Sequence, residues 1–512
     1  MQTNSKRIAK NTFYLYIRML LLMFINLYTS RVILNALGIE DYGIYNVVAG
    51  VVTMFTMVSG SLSTAISRFL TYSLGKGEQS KLSVIFSTSV NIQLGMAFII
   101  VLLAETIGLW FLNEEMVIPE ERMTAANWVY QISVVTFVFN LLSVPFNAAI
   151  IAHEKMSAFA YIGLFEGIGR LLVAFLIGIS VFDKLVFFAT MMSLLGLIII
   201  IIYAWYCKKH FNEAVYRFVL DTTLLKEMSG FAGWNFLGSS AMILREHGGN
   251  LVINLFCGPA VNAARAIATK VNATVQAFIN NFMMALNPQI TKSYASGDYD
   301  YMFKLMLWGA KLSFFLMLLL SMPIMLNIDY ILKLWLVVVP DHSGTFVVLI
   351  LILAMSDILS GPLITAILAT GKVRNYQIAV GTLQLMNIPV SYLFLSFGYA
   401  PEMVLVVAIV ISNIAFFVRL FMLNKIIHLH VGEFIYKVYF NVVFVTFVAV
   451  VIPLLISSWL SQGLLRLILL SLLSVLCTLV TCYFVGLSRH ERTLVHTKVA
   501  EVMEKFHNKH DS

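Results

Sequence analysis

The sequence predicts an all-α polytopic membrane protein, and three observations carry that prediction. The first is composition. Of 512 residues, 60% are apolar and only 12% are charged, whereas a soluble globular protein carries about 25% charged residues. A core of this size in water would need a charged coat that this chain cannot supply. The second is recurrence: apolar runs return along the whole length, each near the ~20 residues that cross a bilayer. The third is that only short polar turns separate them, with no large soluble segment.

About fourteen such runs can be placed. Lys6, Arg7 and Lys10 precede the first. That run is long and lacks a small-residue cleavage site, so it reads as a first helix and not as a signal peptide. The first six centre near Met23, Met54, Ala97, Val135, Val173 and Leu195. A second set centres near Met242, Val271, Leu316, Leu353, Leu383 and Val410, and a final pair near Phe447 and Leu472. Between the sets, Lys208 to Gly230 is too charged to span and reads as an amphipathic helix on the membrane surface. The tail from Arg489 to Ser512 is charged and reads as helical in part. The expected segments are therefore 1–207, the linker 208–230, then 231–430, 431–487 and a tail 488–512.

Orientation follows from Lys and Arg. With the N-terminus inside, most basic residues fall in inside segments, and only Arg122, Lys184, Arg265, Lys333 and Arg466 fall outside. The positive-inside rule then assigns both termini to the cytoplasm. The same rule explains the net charge of +8 without nucleic acid as a partner.

The two long sets echo each other at roughly 220 residues' separation. NPQITKSYASGD (Asn287 to Asp298) repeats RFLTYSLGKGE (Arg68 to Glu78), with Gly297 over Gly77. NLFCG (Asn254 to Gly258) repeats LNALG (Leu34 to Gly38). GPLITAILATGK (Gly361 to Lys372) resembles VPFNAAIIAHEK (Val144 to Lys155), with Pro362 over Pro145. The chain thus reads as two bundles of about six helices, related by a pseudo-two-fold axis along the membrane normal, plus two C-terminal helices.

Ionisable side chains within membrane helices are costly, so each nominates a site. Arg18, Arg31, Glu166, Arg170, Arg245, Glu246, His247, Lys270, Lys311, Asp357 and Arg419 all qualify. Glu166 and Arg170, one turn apart, also read as a structural pair, and Arg18 as a side chain reaching back to the surface. The eighth run gives the clearest signal. Asn262, Arg265, Thr269, Asn272, Gln276, Asn280 and Asn287 recur on one helical face, with Lys270 at its edge. Lipid cannot hydrate that face, so it must meet protein or water.

Other chemistry lacks its residues. GxSxG, HExxH and P-loop patterns are missing, so no enzyme is predicted. Cys207, Cys257, Cys477 and Cys482 form no CxxC pair, and neither metal nor cofactor is expected.

Four segments carry a family resemblance: SRVILNALGIEDYGIYNVV (Ser30 to Val48), INLFCGPAVNAARAIATKVN (Ile253 to Asn272), NPQITKSYASGD and PLITAILATGK (Pro362 to Lys372). Through them the chain resembles polysaccharide, O-antigen-type flippases of the multidrug/oligosaccharidyl-lipid/polysaccharide exporter superfamily. The resemblance covers about residues 10 to 430 and reaches the last two helices by count alone. It implies a multi-pass bacterial inner-membrane protein that moves an undecaprenyl-diphosphate-linked oligosaccharide to the periplasmic leaflet. A polymerase and chain-length machinery are its implied partners beside membrane lipids. It also implies a V-shaped cavity whose basic residues hold the diphosphate. By motif that role falls to Arg31, and by helix position to Arg265 and Lys270. Arg245, Lys311, Asn272, Gln276 and Asn280 complete the expected substrate set, while Glu246 and Asp357 are candidates for coupling to a proton or sodium ion.

Three alternatives stay open at this point. A cation-coupled drug antiporter should have an acidic cavity, and here basic residues outnumber Glu246 and Asp357. A lipid II flippase would share the cationic cleft. A non-transporting assembly subunit of an export complex would have no use for the polar stripe.

Overall fold

A computed structural model describes residues 2–53, 56–115, 118–219, 221–336, 339–488 and 491–493. Among them there is no β-strand. The helices are α1 (Gln2–Thr53), α2 (Thr56–Lys76), α3 (Gln79–Leu103), α4 (Glu120–Ala152), α5 (Met156–Ile177) and α6 (Lys184–His210). They continue as α7 (Thr222–Ala295), α8 (Tyr299–Leu326), α9 (Ile328–Trp335), α10 (Ser343–Ile358), α11 (Gly361–Thr370) and α12 (Arg374–Leu385). The last are α13 (Asn387–Ser396), α14 (Met403–Ile427), α15 (Val431–Phe434), α16 (Asn441–Ser457) and α17 (Leu464–Thr481).

Eleven helical segments among the described residues are long and apolar enough to cross a membrane, including both C-terminal runs, Val431–Ser457 and Leu464–Gly486. The three expected runs outside that set centre near Met54, Met242 and Val271. The first is interrupted by Ser and Thr and the other two by Asn and charged residues, and those residues dilute their hydropathy. Large apolar side chains elsewhere lie bare on the surface, among them Phe98, Phe182 and Trp459, as a lipid-facing exterior requires.

Two helices that run on in the chain are broken by glycine. α1 turns at Gly38 (φ 84°, ψ 171°) and α7 at Gly258 (φ 78°, ψ −179°). That region of backbone space belongs almost solely to glycine. The helices before Gly77 and Gly297 close alike. Gly77 N–H bonds Leu74 O and Glu78 N–H bonds Ser73 O; Gly297 bonds Tyr294 O and Asp298 bonds Ser293 O, with φ of 73° and 78° at the glycines. Each is a Schellman cap. A third aligned pair, Glu154 and Gly371, is also left-handed, at φ 58° and 76°. The sequence echo is therefore also an echo of backbone conformation.

The linker departs from expectation. Lys208 to His210 close α6, residues 211–219 and 221 are not helical, and Thr222 already opens α7. Asp221 explains the start, since its side chain caps Leu224 N–H at 3.0 Å. Of the expected helical tail, Glu491 to Thr493 are helical; 489–490 and 494–512 lie outside the described residues.

The chain forms two compact units. Unit 1 comprises Met1–Ala241, Met284–Met302 and Thr365–Gly381, and unit 2 comprises Met242–Met283, Phe303–Ile364 and Thr382–Ser512. Within unit 1, α1 lies along α5 at Gly163 and Gly167, where an added Cβ would overlap Arg18 Nε and Leu22. This G-x-x-x-G spacing lets membrane helices approach closely. Arg122 binds Asp41 through both carboxylate oxygens (2.8 and 2.7 Å) and Asp183 at 2.6 Å, tying α1 and α4 to the start of α6. Within unit 2, Lys311 of α8 pairs with Glu491 at 2.7 Å, anchoring the segment after α17.

Candidate functional site

The polar stripe lies on α7 beyond Gly258. Arg265 is buried at 6% exposure, Asn262, Thr269, Asn272 and Gln276 are half-buried, and Lys270 and Asn280 are exposed. All of these belong to unit 2, while Asn287 falls in unit 1 and accepts a bond from Thr365 Oγ1 at 2.9 Å. Arg265 donates through Nη2 to the carbonyl of Glu246 at 3.3 Å. Its Nη1 is buried without an acceptor, and the side-chain oxygens of Asn262 and Asn272 are buried without a donor. Gly249 makes room for this guanidinium, since a Cβ there would collide with Nη1. A buried donor left unmade is expensive, so the stripe is poised to receive an acceptor.

Arg245 takes a different position. It donates to Asp357 Oδ2 at 3.0 Å and to Gln384 Oε1 at 3.0 Å, and Ser412 Oγ reaches the other Asp357 oxygen at 2.5 Å. Four elements of unit 2, α7, α10, α12 and α14, thus meet at one ion pair. A cation coupled through Asp357 would have to displace Arg245. Arg419, also buried, donates to Ser360 Oγ at 3.0 Å between α14 and the α10–α11 junction.

Other candidates are dispersed. Arg31 is exposed in unit 1, and Glu246 and His247 are exposed in unit 2. Lys311, expected beside substrate, is instead buried and spent on Glu491 and the Gly486 carbonyl, because the chain after α17 folds back onto α8. Glu166 and Arg170 do form the expected i,i+4 pair. Arg18 is half-buried and stacks on Phe159, 4.3 Å from the ring centre.

Sequence reading missed Glu154. Its carboxylate is 1% exposed and pairs with Arg7 Nε at 2.8 Å and Lys292 Nζ at 2.6 Å. Gln289 donates to it as well, and Asn11 bonds its backbone carbonyl at 3.1 Å. One acidic residue thus gathers α1, the α4–α5 turn and the end of α7 inside unit 1. The available signal was an acidic residue within a turn on the face that charge bias fills with cations. Beside it, His153 pairs with Glu213 and stacks on Phe211 at 4.2 Å. That contact holds the non-helical residues just after α6 against the turn. Burial raises the Glu213 carboxyl pKa, but the His153 hydrogen bond, a backbone hydrogen bond and the His153 charge together outweigh it and hold it below the usual range.

The broken helices, the dense apolar exterior and the buried polar nodes define a multi-pass membrane protein with the architecture of MATE transporters. The fold is similar to a crystal structure of MATE in the bent conformation (TM-score 0.70, 14% identity, 84% of this chain and 96% of that one). It is also similar to an outward-facing multidrug resistance MATE family transporter of the MOP superfamily (TM-score 0.69, 14%, 84% and 96%). A third is a Pyrococcus furiosus MOP superfamily transporter described as having a binding pocket of reversed polarity (TM-score 0.66, 13%, 84% and 96%). Residues 8–294 match the family described as polysaccharide biosynthesis protein, and the chain belongs to that family. It is 21% identical over 283 residues to the uncharacterized membrane protein EpsK of Bacillus subtilis (strain 168). That match covers 55% of this chain and 56% of EpsK, so the chain spans little more than half the length of this curated relative.

Proposed function

We propose that the protein is a flippase. It carries an undecaprenyl-diphosphate-linked oligosaccharide from the cytoplasmic to the periplasmic leaflet of a bacterial inner membrane, for surface polysaccharide synthesis. The carrying observation is Arg265, a buried guanidinium with a free donor on an amide-rich face. Sugar hydroxyls lose their hydrogen bonds in hydrocarbon, and Asn262, Asn272, Gln276 and Asn280 offer replacements. Arg265 offers a planar fork to a phosphate. Arg31 and Lys270, both exposed, are the proposed further phosphate contacts. Alternating access of two six-helix halves, with both termini cytoplasmic, is the proposed cycle. A polymerase and chain-length machinery are the proposed partners downstream. A drug antiporter is disfavoured because Asp357 is already neutralised by Arg245.

The test is complementation of a deletion strain, reading lipid-linked glycan on each leaflet. Arg265→Gln should abolish export at normal protein level. Arg265→Lys should restore part of it, because the charge survives and the fork does not. Normal export by Arg265→Gln would refute the reading.

A further inference from the structure

Unit 1 holds a second cationic site that the stripe does not include. A cavity of about 1170 Å³ opens between the end of α2, the start of α7 and the α11–α12 turn. Arg68, Lys226, Lys372 and Arg374 line it against a single carboxylate, Glu227. Among the described residues, no carboxylate lies within ion-pair distance of any of these four cations. Lys226 and Lys372 are exposed and Arg68 is half-buried.

Arg68 is built in place. Its guanidinium lies 4.6, 4.8 and 5.6 Å from the ring centres of Phe69, Tyr72 and Phe231. Its Nη2 donates to Ala369 O at 2.9 Å. Gly371, left-handed at φ 76°, permits that approach, since a Cβ there would stand 2.7 Å from Arg68 Nη2. Arg68 Nε is buried and has no acceptor. Arg374 is held 5.4 Å over Trp234, which leaves a flat indole wall beside the cations. The first turn of α7, with Thr222 and Thr223, also faces the cavity, and Asp221 caps only Leu224 N–H there. The positive end of a long helix therefore joins the four cations.

We propose that this cavity binds a phosphoester anion, a diphosphate or a phosphate carried on a sugar or lipid head group, on the face that the charge bias assigns to the cytoplasm. Guanidinium, ammonium and helix N–H groups converge on the anion, and Trp234 and Phe231 receive the less polar part. The space exceeds a lone phosphate, and pockets of this order hold whole small molecules. The assignment stands on this geometry and does not depend on the cargo of the α7 stripe.

The test uses the purified full chain in neutral detergent with inorganic pyrophosphate as probe. Binding is read by calorimetry and by the fluorescence difference between the protein and its Trp234→Phe variant. Saturable binding is expected, with loss of about tenfold or more in affinity for the Lys226→Gln/Lys372→Gln double variant, at unchanged melting temperature. Absence of binding, or equal affinity in the double variant, overturns the proposal. The comparison is repeated in an Arg265→Gln background, which removes any pyrophosphate held at the α7 stripe; the loss on Lys226→Gln/Lys372→Gln should remain there, and its disappearance overturns the proposal. Nanodiscs identify the source. If phosphatidylglycerol weakens pyrophosphate binding relative to phosphatidylcholine, and does so only with the lysines intact, the site takes a lipid head group. If it does not, the site takes a soluble or cargo-borne phosphate.

Discussion

Gly38 and Gly258 are the sharpest case of a residue chosen for its backbone. Nothing lies within 4 Å of a Cβ built at either position. An alanine would therefore meet no neighbour and would pay only conformational strain, about 1–3 kcal/mol. Gly38→Ala and Gly258→Ala should each lower the melting temperature in detergent, while Gly60→Ala, also in open space but at ordinary helical φ, should leave it unchanged or raise it slightly. Equal effects at all three would show that the breaks are not backbone-determined. Asp183 gives a pH signature. Burial raises its pKa, but the Arg122 hydrogen bond and the Val186 and Leu185 amides outweigh burial and hold it below the usual carboxylate range. Its contribution is then present above the unfolded pKa of about 3.9 and is lost as pH falls through the lower folded value. Melting temperature against pH should fall in that acidic window, and the fall should shrink in Asp183→Asn.

At the scale of elements, legibility tracked local periodicity. The α7 stripe was legible because Asn and Gln recur at helical spacing in an apolar context. The Glu166–Arg170 pair was legible because i,i+4 neighbours need no tertiary information. The Lys311–Glu491 pair was not legible because the partners lie far apart along the chain, and no local pattern announces such a return. The α1–α5 seam was missed although Gly163 and Gly167 display a small-residue spacing. Gly163→Leu or Gly167→Leu should separate these helices and destabilise the protein by ~1–3 kcal/mol or more, read as a lower melting temperature. Gly230→Ala, with open space around it, is the matched control.

For the whole molecule, the all-helical membrane class was plain from composition, and the turns of the repeat return with matching backbone angles. The domain scheme of two halves is a claim about long-range packing, which hydropathy cannot resolve. The compact units group Met284–Met302 and Thr365–Gly381 with the first 241 residues. Topology can be measured directly. Single cysteines placed at Lys209 and Lys226, in a background with the four native cysteines replaced, should react only with reagent that reaches the cytoplasm. Labelling from the periplasm would invert the assignment.

The Glu154 cluster has a consequence for how its elements part. One carboxylate at φ 58° serves Arg7, Gln289 and Lys292 together. Those donors have a shared creditor, and none can leave without the others renegotiating the same two oxygens. Arg7 and Lys292 lie within electrostatic reach of one another, so the carboxylate is also what keeps two like charges from repelling. Glu154→Gln should therefore do more than subtract an attraction. It should turn the contact into a mutual push, costing about 3–5 kcal/mol. Glu154→Gly, which relieves the left-handed backbone, should be milder by about 1 kcal/mol. Separation of α1, the α4–α5 turn and the end of α7 is then a cooperative step: the three come apart as a set, with few intermediates between holding and release.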